Sequence, residues 1–249
     1  MKLACVVCAV GMMVPWALRA QQEDGGVSYV GRGQELLESI YVPNIAGAPF
    51  SLQLSTEWTR PVLSGGTITS VNSRPIKRDS QGRMYMERWL LEPKGMIARS
   101  RMSWIQIDDP VSGIYYECNP RTHICETSPH EDAPPLKEPP SVTKSGPVWS
   151  GKAYRQHEDL GADTVGGVPV HAYRDTMTVQ PGAMGNSQTM TYHRDMKFSA
   201  ALGFNLVSIV QSPSLGEQRF TVTEITTTEP EAKWFRPPEG WSVVEKRKQ

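Results

Sequence analysis

The stretch Met190-Thr-Tyr-His-Arg-Asp-Met-Lys-Phe-Ser199 lies within Asn186 to Leu202, the longest run of the 249-residue chain without glycine or proline. Inside it Met190, Tyr192, Met196 and Phe198 share one parity, while Thr191, His193 and Asp195 share the other. A period of two belongs to a strand with one buried face, not to a helix. The same alternation places Leu52, Leu54 and Trp58 on one side of a strand and Gln53, Ser55 and Glu57 on the other. Phe220 to Thr228 is rich in β-branched residues and continues the pattern.

Extending this reading gives strands at about 51–60, 67–78, 83–92, 99–108, 113–119, 123–128, 151–160, 168–179, 188–198, 204–211 and 217–228. Turn signals such as Ser64-Gly-Gly66, Asp79-Ser-Gln-Gly82 and Gly166-Gly167 fall between them, so successive strands form hairpins and an antiparallel meander. Met102-Ser-Trp-Ile-Gln-Ile107 is apolar at both parities, which predicts a sheet covered on both faces there. Two short helices are expected, at Gln34–Tyr41 and at Glu229–Phe235, the second with Pro230 in its first turn. The fold class is therefore mainly β, one continuous curved antiparallel sheet with one or two short helices. Six prolines between Pro129 and Pro147 mark an exposed loop within a single β-rich domain, 21–249.

Lys2, the apolar run Leu3–Val14 and a small residue at Ala20 form a secretory signal cleaved after about Ala20. The run is too short to span a bilayer as a helix, and no later segment is of membrane length. Periplasmic or secreted localisation follows. Basic and acidic side chains balance at 26 each, which excludes a global field for nucleic acid. After removal of the signal, Cys118 and Cys125 are the remaining cysteines. Asn119-Pro120 opens a turn that sets them opposite each other on a hairpin, where an oxidising compartment pairs them. The rival set Cys118, His123, Cys125 and His130 matches no common zinc spacing.

No phosphate loop, dinucleotide fingerprint or nucleophile elbow is present. Ser141-Val-Thr-Lys144 has the spacing of a serine–lysine pair, but sits among prolines where the required helix is disfavoured. His193-Arg-Asp195 echoes a kinase catalytic loop without its partners; on a strand such charges form cross-strand ion pairs on a solvated face. We therefore expect no catalytic residue, no metal ligand and no cofactor. Between Arg74 and Arg101 there are eight basic residues against three acidic ones, from which Arg74, Arg78 and Arg88 are candidates for anion contact. Seven tryptophans and eleven methionines suit an adaptable hydrophobic groove, with Trp58, Met84, Met86, Trp104, Phe204 and Phe220 as candidate lining.

Several segments resemble exported bacterial proteins related to the outer-membrane lipoprotein carrier and sorting proteins. They are Asp163-Thr-Val-Gly-Gly-Val-Pro-Val-His-Ala-Tyr173, Leu202 to Ser208, Phe220 to Ile225, and the tail Glu229-Pro-Glu-Ala-Lys-Trp-Phe-Arg-Pro-Pro-Glu-Gly-Trp241. Thr67 to Arg83 and Trp104 to Pro110 are similar to a large uncharacterised family of exported proteins. The resemblance implies a half-barrel wrapped around helices, with a concavity that holds acyl chains, and it carries no catalytic residues. This chain departs from it in having little helix and a long proline-rich insertion. The expected function is an exported, non-enzymatic envelope protein binding a hydrophobic or lipidated ligand in the concave face. The alternatives are an envelope protein–protein interaction module using the proline-rich loop or a sheet edge, and a hydrolase without a recognisable motif.

Overall fold

β1 (Phe50–Pro61) buries every second side chain from Phe50 through Leu52, Leu54 and Thr56 to Trp58, as its alternation requires. The computed structural model describes residues 40–95, 100–131 and 143–246. The signal segment, residues 34–39 of the first expected helix and most of the proline-rich loop lie outside the described residues; Ile40 and Tyr41 are not helical.

The strands that follow are β2 (Thr67–Arg78), β3 (Met84–Trp89), β4 (Glu92–Pro93), β5 (Met102–Asp109), β6 (Ile114–Asn119) and β7 (Ile124–Pro129). Then come β8 (Gly146–Val148), β9 (Ala153–Val165), β10 (Val168–Val179), β11 (Met190–Ser199), β12 (Phe204–Ser212), β13 (Gly216–Thr226) and β14 (Ser242–Glu245). They form one sheet in the order β14-β7-β6-β5-β3-β2-β1-β13-β12-β11-β10-β9-β8, with β4 beside β2. Two antiparallel meanders thus share a seam, where β1 pairs with β13 and Trp58 lies opposite Gln218. The second expected helix is reduced to a 3-10 turn over Ala232–Phe235. β14 is parallel to β7, so the sheet is not wholly antiparallel. A chain that has crossed one face before returning to the edge can pair in either direction, whereas a tight hairpin permits only one.

Curvature follows from which side chains meet. Val168 and Val170 of β10 join one core with Leu52, Leu54 and Trp58 of β1, Ile76, Met84, Phe220 and Val222. β10 is four strands from β1, about 19 Å along a flat sheet at the usual strand spacing. The sheet curls towards this face: a Cβ on Gly166, in the turn between β9 and β10, would come 2.6 Å from Ile225 Cγ2 of β13, three strands from β10. The strap over residues 40–48 occupies the concavity with Ile40, Val42 and Ala48. Gly203 lets it pass, since a Cβ there would come 2.4 Å from Ile45 Cδ1, at a φ of +79° that glycine tolerates best.

β2 carries Pro75 in the middle of a sheet, where a missing N–H ordinarily breaks the ladder. The break is accommodated by a gap. β3 pairs with Ile76 to Arg78 and β4 with Ser70 and Val71, so 72–75 has no strand on that side. Asn72 Nδ2 reaches across to donate to the Trp89 carbonyl at 2.7 Å.

On the opposite face of β3, β5 and β6, Tyr85, Ile105, Ile107, Cys118, Cys125 and Phe235 form a second core. Trp234 and Trp241 cover it, Trp234 packing edge-on against Tyr85 and Trp241 stacking on His123. This face is therefore covered, while the other face of the same strands carries the partly exposed Met86, Arg88, Trp104 and Gln106, so the cover on both faces that the sequence predicts is complete on one side only. Cys118 and Cys125 face each other in the register and are joined by a disulfide, with Cα atoms 3.9 Å apart.

Arg78 is fully buried. Its guanidinium donates to the carbonyls of Pro43 (2.7 Å), Ala48 (2.9 Å) and Leu202 (2.9 Å), and lies over the Phe50 ring. Burial pulls its pKa down to about 10. We predict that Arg78→Met, which keeps an unbranched side chain and removes the donors, destabilises the fold by more than about 3 kcal/mol, because three carbonyls, two of them in buried bonds, lose their partner. Arg78→Lys recovers only part, since an ammonium lacks the planar fork. Urea unfolding measures both; equal stability of Arg78→Met and the parent chain would contradict the assignment.

Candidate functional site

Moving outward from Met84 and Ile76, the concave face stops being dry. Met86 lies opposite both Ile76 and Gln106, Arg88 opposite Trp104, and Gln106 opposite Glu117. Residues directly opposite share a face. Met86, Arg88, Trp104, Gln106, Tyr115 and Glu117 therefore form one strip, each of them partly exposed.

Within the strip Arg88 Nε donates to Gln106 Oε1 at 2.6 Å, which aims the guanidinium along the sheet. Burial raises the pKa of the Tyr115 hydroxyl, and the neighbouring Glu117 carboxylate raises it further. Tyr115 is thus a neutral phenol at any ordinary pH. The β5 register shifts by one residue between Arg88 and Trp89, so that Met102 faces Trp89 while Trp104 faces Arg88. Beside this irregularity opens a cleft of about 330 Å³ lined by Leu90, Arg101, Met102, Ser103, Trp104, Asn119, Pro120 and Arg121. Among the described residues, two arginines and no carboxylate border it.

The residues proposed from sequence separate into two groups. Met86, Trp104 and Arg88 come together in the strip. Trp58, Met84, Phe204 and Phe220 are core, where Trp58 Nε1 donates to the Leu215 carbonyl at 2.7 Å and Phe204 packs on Phe50. They do not border an open concavity, because the curled sheet and the strap fill it. Arg74 is buried opposite Leu54. Arg78 is not placed to meet an external anion, since its donors serve the three carbonyls. Leu90, Arg101, Met102 and Arg121 were missed; the apolar double parity of Met102–Ile107 was the one signal that pointed there.

A second polar group lies on β9 and β10. His157 Nδ1 is 2.5 Å from Asp175 Oδ1, His171 Nε2 is 2.5 Å from Asp159 Oδ1, and Tyr173 stacks between the two rings. Ser145 Oγ is bonded to the His157 main chain, not to its ring. The His-Arg-Asp string resolves as its strand reading predicts: Asp195 accepts two bonds from Arg174 at 2.7 and 2.9 Å, and His193 meets Thr176. Among the described residues, no group of three or more His, Cys, Asp or Glu side chains is arranged to hold a metal, and no helix is long and apolar enough to cross a membrane.

No family model matches the chain, and no curated protein matches it. Solved structures do. A chain of the Pseudomonas aeruginosa MucA/MucB complex is 15% identical over 79% of this chain, with a TM-score of 0.39. This chain spans only 58% of that one. LprF from Mycobacterium bovis is 9% identical over 74% of this chain and 89% of its own, with a TM-score of 0.27. Mycobacterium tuberculosis lipoprotein LppX is 10% identical over 69% of this chain and 84% of its own, with a TM-score of 0.24.

Charge on β9–β13 has a consequence for acid stability. Hydrogen bonds from Arg174 to Asp195, from Lys197 to Asp163, from His171 to Asp159 and from Gln211 to Glu217 hold these carboxyls below their ordinary values. The folded state then binds fewer protons than the unfolded one, so the stabilisation is present above the ordinary values and is lost as pH falls through the lowered ones. We predict that the urea midpoint falls steeply below the ordinary aspartate value of 3.8, and that Asp195→Asn makes the fall shallower. Parallel pH profiles for the two proteins would refute this.

Proposed function

We propose that the chain is an exported, non-enzymatic protein of the cell envelope that holds a hydrophobic or lipidated ligand on the concave face of its sheet. The observation that carries this reading is the strip of half-exposed large side chains running from the dry core into the cleft beside Trp104. Leu90 and Trp104 offer apolar and aromatic surface for a chain or ring, and the adaptable Met86 thioether of the same strip suits ligands of variable shape. Arg101 and Arg121 border the same cleft and favour a ligand with an anionic end.

A second reading is supported by the sheet edge. Val243 and Val244 of β14 are 51% and 44% exposed on a strand whose outer side pairs with no described strand. Such an edge can accept a strand from an envelope partner.

Titration with a fluorescent fatty acid separates the two readings. Trp104→Ala is expected to weaken probe binding about tenfold or more, the equivalent of losing 1.5–3 kcal/mol of apolar contact. Replacing Val243 and Val244 by lysine is expected to leave probe binding unchanged. A chain that binds no probe, together with an empty lipid extract from protein purified out of the envelope fraction, would overturn ligand carriage. Amino-terminal sequencing of the same material tests cleavage after Ala20.

A further inference from the structure

The connection from β10 to β11 is exposed, yet its backbone is closely fixed around one side chain. Asn186 Oδ1 accepts the Met184 N–H at 3.0 Å, while Asn186 Nδ2 donates to the carbonyls of Gln180 (2.9 Å) and Gln188 (2.7 Å). The Asn186 carbonyl accepts from Gly182 N–H at 2.7 Å. Gly182 and Gly185, both with a φ of +79°, make the reversals that let these groups converge. This scaffold fixes the backbone that presents Met184, which is 58% exposed. Apolar burial therefore gives little account of why a methionine stands there.

The Met184 side chain has a specific neighbour. Tyr192 Oη lies 3.9 Å from Met184 Sδ and 3.8 Å from Met190 Sδ, so two thioethers bracket one phenol. A phenol has one proton to donate, and can serve one sulfur at a time. Met177 of β10 sits directly opposite Tyr192 in the ladder, adding a third thioether to the same end of the hairpin. Thioethers are neutral, polarisable donors that select soft cations and reject hard ones such as calcium or magnesium. The adjacent aromatic face favours a cation in addition.

We propose that Met184 and Met190, with Met177, form a site for a soft monovalent cation, Cu(I) or Ag(I), at the β10–β11 turn beside Tyr192. Binding here is independent of the Trp104 cleft. Because thioethers carry no proton to lose, affinity changes little between neutral and mildly acidic pH, in contrast to a site built from histidine or thiolate.

The test is anaerobic competition of the full chain against bicinchoninate for Cu(I) supplied as its acetonitrile complex. The parent chain is expected to withdraw one more equivalent than the Met184→Leu/Met190→Leu double variant, at pH 5 as at pH 7, with sulfur neighbours in the X-ray absorption spectrum. The single Met184→Leu variant, altered at an exposed position, is expected to bind at least tenfold more weakly with an unchanged thermal midpoint. Met84→Leu, a volume-conserving change in the core of the other half of the sheet, is expected to bind as the parent does. Equal Cu(I) withdrawal by the parent and by Met184→Leu, or a parent signal that disappears at pH 5, would overturn the proposal.

Discussion

One buried guanidinium joins three parts of the chain that have no ladder in common. The strap before β1, the end of β2 and the turn that enters β12 each present to Arg78 either a carbonyl or its own backbone. A neutral side chain of the same size fills the volume without satisfying three acceptors. The charge is tolerated in the interior because every carbonyl dipole points at it and the Phe50 and Phe204 rings flank it. In this chain the strap and this arginine occupy the concavity, and that is why much of the face is packed and only its outer strip remains open.

The location of the candidate site follows from that division. Towards the seam, the face is closed by Phe50, Phe204, Phe220 and the curl that brings the β9–β10 turn to Ile225 of β13. Away from it, β3, β5 and β6 continue the same face, but nothing described lies over Met86, Trp104 and Tyr115 to the same degree. The opposite face of those strands is sealed by Trp234, Phe235 and Trp241 and stapled by the disulfide. The strip is therefore mounted on a rigid backing, which fixes the shape of its surface.

Most of the strand set was legible in the sequence, because period-two alternation records which residues face the core. The exceptions have physical causes. β4 and β8 are two and three residues long, too short for a period to register, and β14 is exposed along its whole length and so carries no alternation of burial. Parity also failed to say which apolar positions would be open. Trp58 and Trp104 read alike in sequence, yet one is core and the other borders a cleft, since curvature and the β5 register shift are long-range properties. Arg78 offered a signal that went unused: it shares parity with Ile76, on the side that became the interior.

The seam between β1 and β13 also dictates when the molecule can assemble. Residues near position 55 wait for partners near position 220, so the middle of the sheet closes only after about 165 intervening residues have been made. Folding that depends on such distant pairing is slow. Until then the first meander has an unprotected border, open to pairing with other chains. Topology of this kind makes early arrest of synthesis a source of sticky half-sheets in place of a smaller working protein.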